Sequence, residues 1–159
     1  MKDYLRDYCT EAFRFYACNG MNADKYKQKI YDEALEQQKR MEKSCGISCP
    51  TEAAIIRAEN AVDEKLAEIK DMEAVEMTIA ELEAAGRNHD IVQAIKIVYF
   101  QDAGKELEPG DISLRVHAAE LDIPASERSV YRYLKKARMM FAEHRGLRIN
   151  IKKFSESWQ

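Results

Sequence analysis

The residues best placed to do chemistry lie near the C-terminus, where Ser126, Arg128, Ser129, Tyr131, Arg132, Lys135, Lys136 and Arg138 follow one another closely. Among and just after them Val130, Tyr133, Leu134, Ala137, Met140 and Phe141 fall on one stripe at three- and four-residue spacing, the period of an amphipathic helix. A helix anchored by that stripe presents its long donors on the opposite side. Arginine can bond guanine through two donors, serine can bond bases or phosphates, and lysine reaches backbone phosphates. The chemistry that fits is recognition of duplex DNA. A plain amphipathic helix with a solvated basic face has the same composition, so the elements before it must decide.

Charge is distributed to match. From Arg128 to Gln159 nine basic residues stand against Glu143 and Glu156, a net of +7, in a chain whose total is -3; the remainder therefore carries -10. A basic end on an acidic body suits one face meeting phosphates while the rest stays solvated.

The segment from Asp111 reads DISLRVHAAELDIPASERSVYRYLKKARMMFAEHRGL, two helices joined by a turn. Asp111 can cap the first, and Ile112, Val116 and Ala119 give it an inner face. Ala118 and Ala119 are small enough for a second helix to cross closely. Leu121 and Ile123 bracket the turn, Pro124 stiffens it, and Ser126 can cap the second helix. The stretch from Ile91 to Leu147 resembles the helix-turn-helix of sigma-factor region four and the phage-type transcriptional regulators built on it, such as the RinA and ArpU families. The runs AIKIVYF, AAELDI and SERSVYRYLKKAR carry the resemblance. It implies a supporting helix, a second helix crossing the DNA backbone and a recognition helix starting near Ser126. It also implies double-stranded DNA as partner and RNA polymerase as a candidate contact of the acidic body.

The expected fold is all-α: a helical bundle with a long central helix, a C-terminal helix-turn-helix and a short C-terminal strand. Helices are expected over about Lys2–Cys18, stopped by Asn19-Gly20, and about Asp24–Lys43, with a break at Cys45-Gly46. Ser48, Pro50 and Glu52 announce a third helix, whose stripe of Ile55, Val62, Leu66, Ile69, Met72, Val75, Ile79 and Leu82 runs to Gly86. Such a stripe serves either as one side of a bundle or as the seam of a homodimer. Asp90 with Gln93 suggests a capping box for a further helix to about Gln101, and Gly104 with Pro109-Gly110 marks a loop. Leu147, Ile149 and Ile151 alternate with polar residues, as in a strand or a basic arm along DNA. The divisions expected are 1–87 for the acidic helical bundle and dimerisation region, 88–147 for the helix-turn-helix, and 148–159 for the basic arm.

Other chemistries find little support. His89, His117 and His144 have no nucleophile or carboxylate pattern around them that forms a catalytic set, and there is no phosphate-binding glycine loop, so no enzyme and no cofactor are expected. Cys9, Cys18, Cys45 and Cys49 read as reduced thiols in a chain without an export signal; zinc is the alternative, although eight residues separate the first two. Charged residues through the first helix exclude a signal-peptide core or membrane span there, and a cytoplasmic location follows. The competing function is a helical adaptor whose basic C-terminal helix docks on an acidic protein.

Overall fold

The computed structural model describes residues 3–44 and 52–147. The described residues form seven α-helices joined by turns and loops, and no strand occurs among them. They are α1 (Tyr4–Cys18), α2 (Ala23–Ser44), α3 (Glu52–Glu64), α4 (Leu66–Ala84), α5 (His89–Ile95), α6 (Asp111–Asp122) and α7 (Glu127–Arg145). A π-helical stretch, Lys96–Phe100, continues α5. The described residues thus form an all-α helical bundle.

Helix α4 occupies the centre, packed by α1, α2, α3, α5 and α7. Its buried residues, Ile69, Met72, Ala74, Val75, Thr78 and Leu82, spread over more than one face, as a helix with neighbours around it requires. The buried Thr78 hydroxyl donates to the Ala74 carbonyl at 2.8 Å, so no polar group is stranded there. Beside α4, Phe13 of α1 stacks on Tyr99 with ring centroids 5.4 Å apart and meets Phe141 of α7 at 5.7 Å. One hydrophobic core therefore joins residues from Cys9 to Ala142, and it crosses the expected division at residues 87 and 88.

The single long helix expected after Pro50 is two helices. Lys65 leaves the helical region (φ -100°, ψ 11°), and its N–H bonds the Val62 carbonyl at 3.1 Å, three residues back. The two segments have different neighbours. Ala54, Ala58 and Val62 turn α3 towards α2, with which it forms a hairpin, while Met72, Val75 and Leu82 turn α4 into the main core. A straight helix could not seat both faces, so the stripe breaks where its partner changes. Ile55 and Leu66, on either side, stay 41% and 43% exposed, whereas Ile69, Val75 and Leu82 are consumed by the chain's own bundle.

The π-helical turn has a positioning role. Its wider register puts adjacent rings against α1, Tyr99 on Phe13 and Phe100 beside Tyr16. Two arginines bind carbonyls in and just after this stretch: Arg115 of α6 bonds those of Val98 and Gln101 at 3.0 and 2.7 Å, and buried Arg14 of α1 bonds those of Asp102, Ala103 and Lys105. Burial, reinforced by nearby Arg115, holds the Arg14 guanidinium below its ordinary pKa. The expected Leu147–Ile151 strand and the 148–159 arm fall outside the described residues after Leu147, as does the helix start at Ser48–Thr51.

Candidate nucleic-acid interface

Helix α7 is delimited by local chemistry at both ends. At its start the Ser126 hydroxyl accepts the Ser129 N–H at 3.3 Å, and the two serine hydroxyls lie 3.1 Å apart. At its end Gly146 takes the left-handed conformation (φ 73°), and the N–H of Leu147 reaches back to the Ala142 carbonyl. Between these caps Val130, Leu134, Ala137 and Phe141 are buried, which fixes the outward side.

That side separates the expected donors into groups. Arg128, Arg132 and Lys136 are exposed, and neither Arg128 nor Arg132 has a protein partner among the described residues. Ser126 and Ser129 have their hydroxyls engaged in the cap. Lys135 and Arg138 are half-buried; Arg138 donates to the Tyr99 hydroxyl at 2.8 Å, which holds its guanidinium against the bundle. Tyr131 is exposed on the same side as Arg128.

Five of these residues, Arg128, Tyr131, Arg132, Lys135 and Arg138, line one wall of a groove of about 1140 Å³. The opposite wall is α1, with Arg6, Asp7, Thr10 and Glu11; the rim is the 107–110 loop and the start of α6. The carboxylates of Asp7, Glu11 and Glu108 therefore share the groove with the cations of α7. This wall has no signature in the sequence, because α1 is more than a hundred residues away and its apolar stripe of Cys9, Ala12, Phe13 and Tyr16 is that of a packed helix.

The connection between α6 and α7 is Ile123–Ser126, with Ile123 buried. Asp111, the expected cap of α6, lies in its first turn; its carboxylate accepts the Glu108 N–H at 2.8 Å, and left-handed Gly110 (φ 90°) holds the cap position. The outer edge of α6 is apolar, with Leu114 and Leu121 71% and 89% exposed.

The far end of α7 is tied to α1 and α4 through Asp71. Asp71 of α4 accepts the Tyr8 hydroxyl of α1 at 2.7 and 2.8 Å through its two oxygens and Arg145 Nε at 2.8 Å. Burial first, and then Asp71, push the Tyr8 hydroxyl up to about 12; the bond to Asp71 raises Arg145 above its ordinary value. Next to it, His144 Nε2 and Glu81 Oε2 are 2.7 Å apart.

Among the described residues no group of three or more His, Cys, Asp or Glu is arranged to hold a metal ion; Cys45 and Cys49 lie outside them. No described helix is long and apolar enough to cross a membrane. No protein-family model, no curated protein and no solved structure matches the chain.

Proposed function

We propose that the chain is a sequence-specific DNA-binding transcriptional regulator that places α7 in the major groove in the manner of a helix-turn-helix, with α6 as the preceding helix. The observation that carries this reading is the pair Arg128 and Arg132, exposed and unpartnered among the described residues near the start of a capped helix. Guanidinium groups at that end of a helix are in the position from which recognition helices contact base edges. Lys136, one turn beyond Arg132, supplies a phosphate contact, and Arg138, bonded to Tyr99, holds the helix rather than the DNA. Asp7 and Glu11 across the groove repel phosphates, so the duplex sits over the Arg128–Arg132–Lys136 edge. The chain works in the cytoplasm as a homodimer, with Ile55, Ile56 and Leu66 available to a second copy, and contacts RNA polymerase through its acidic body.

Duplex binding on genomic fragments, followed by footprinting, tests the reading. Affinity should fall steeply with salt, because neutralised phosphates release counterions. Arg132→Ala should cost on the order of 1–3 kcal/mol and relax the site preference, whereas Lys136→Ala should weaken all sequences alike. Absence of any bound duplex at low salt would overturn it.

The exposed Leu114 and Leu121 favour a second reading, a helical adaptor that meets a protein through α6. Binding insensitive to salt and abolished by Leu121→Asp would select it.

A further inference from the structure

The groove between α1 and α7 has features that a DNA-reading helix does not need. We propose that it binds a nucleoside diphosphate, with the phosphates on Arg128 and Arg132, the base against Tyr131 and the ribose hydroxyls donating to Asp7 and Glu11, and that the bound nucleotide displaces DNA. The second half rests on the DNA reading; the first stands without it.

Size comes first. Small-molecule sites usually enclose about 300–1,000 Å³, and a groove of about 1140 Å³ admits an elongated ligand with room for water. Charge selects the ligand's class. The lining holds five cations and three carboxylates, a balance of two positive charges that a diphosphate can neutralise. Arg128 and Arg132 have no protein partner to give up, so binding an anion costs them no existing ion pair.

A second, independent group of donors lies at the rim. Helix α6 starts there, and of its first-turn amides those of Ile112 and Ser113 bond no acceptor within the described chain, whereas those of Asp111 and Leu114 do. Free amides at the positive end of a twelve-residue helix can bond a ligand oxygen in the same groove as the two arginines, against the opposing charge of Asp111 in that turn and Glu108 on the rim.

The remaining lining distinguishes a nucleotide from a bare anion. Tyr131 stands between Arg128 and Arg132 on the helix and exposes its ring, a surface on which a base can stack. Asp7, whose Oδ1 also accepts from Arg6 Nη2 at 3.5 Å, and Glu11 are acceptors only, and they would repel a phosphate on their side. They match a ligand that turns hydroxyl donors to α1 and phosphates to α7. A polynucleotide strand laid along the groove would meet those carboxylates at successive phosphates, and the small ligand avoids this.

Calorimetric titration of the full chain with ADP, GDP, CDP and UDP, each against inorganic pyrophosphate and the free nucleoside, tests the assignment. At least one diphosphate should bind with one site per chain and about tenfold more tightly than pyrophosphate, the difference that one stacked base supplies. Arg132→Gln and Arg128→Gln should each weaken it about tenfold or more, and Glu11→Gln should weaken it with helix content and melting temperature unchanged. Saturation by none of the four at millimolar concentration overturns the proposal. So does binding that all three substitutions leave unaltered, or pyrophosphate binding as tightly as every diphosphate, which would make the groove an anion site only. The DNA reading separates cleanly: Lys136→Gln, outside the groove lining, should weaken DNA and leave the nucleotide untouched, whereas Glu11→Gln should weaken the nucleotide and leave DNA binding equal or stronger. A chain that takes ADP but no duplex retires the DNA reading and the displacement, and keeps the site.

Discussion

Replacing Asp71 by alanine removes a carboxylate that ties α1, α4 and α7 together. Two donors end on it: the Tyr8 hydroxyl, whose single proton is shared between the two oxygens at 2.7 and 2.8 Å, and Arg145 Nε at 2.8 Å. The side chains of Arg145 and Asp71 are only 22% and 15% exposed, so the pair is mostly shielded from water. Hydrogen bonds to charged groups contribute about 1.5–3 kcal/mol when shielded, and exposed pairs about 0–1. With part of the guanidinium still wet, the Arg145 bond belongs near 2 kcal/mol, and the half-exposed Tyr8 hydroxyl, which water can re-solvate, adds roughly 0.5. Asp71→Ala should therefore cost about 2–3 kcal/mol, and Asp71→Asn, which keeps a neutral acceptor, about half of that. In urea, with a slope of about 1–3 kcal/mol/M, the midpoint should fall by about 1 M at unchanged slope. Because the pair is shielded, added salt should recover little of the difference. A loss below about 0.5 kcal/mol, or one erased by salt, would refute the reasoning and place the pair with ordinary surface ion pairs.

Phe13→Ala, which empties a fully buried site between Tyr99 and Phe141, should cost about 3–5 kcal/mol in thermal or urea unfolding; a loss under about 1 would mean the aromatic cluster is not the core. Tyr8, Tyr16 and Tyr26 are pushed, by burial above all, from 10.0 up to about 12, so the fold favours their protonated form: that stability is whole below pH 10 and is lost as pH rises from 10 to about 12. Tyrosinate absorbance should show these three ionising late and together with loss of helix, and ionisation of all eight tyrosines near pH 10 with helix intact would contradict it. Burial pushes the Cys9 thiol up to about 12, whereas Cys18 is exposed; alkylation read by peptide mapping should modify Cys18 far faster, and equal rates would show that the α1–α7 contact opens readily.

What could be read along the chain was whatever local periodicity and caps determine. Val130, Leu134, Ala137 and Phe141 mark the inner face of α7 because helix geometry alone brings them into line, and Ser126 caps that helix because its hydroxyl reaches only its own first turn. Asn19-Gly20 and the 102–110 loop likewise announce themselves. The break at Lys65 does not: Asp63, Glu64, Lys65 and Leu66 contain neither glycine nor proline, and the helix parts there because α3 and α4 have different partners. The cap of α5 departs from its local signature for a related reason. Asp90 with Gln93 has capping-box spacing, yet Asn88 occupies the cap and makes no side-chain bond, since Ile91, Val92, Ala94 and Ile95 set the helix by their burial.

The groove required the third dimension altogether. Whether Arg128 and Arg132 face open solvent or an opposing wall depends on α1, and what seats α1 is the contact of Phe13 with Tyr99 and Phe141 together with the Tyr8–Asp71–Arg145 tie. None of these pairings has a local signature, since each joins residues more than sixty positions apart. They also divide the labour. The aromatic cluster sets the spacing of α1 from α7 by packing, and the carboxylate fixes the end of α7 nearest α4, while Arg138 on Tyr99 holds the floor between the walls. The cations at the start of α7 are thereby left without partners on a rigid support, the condition under which an arginine is free to bind something other than its own chain.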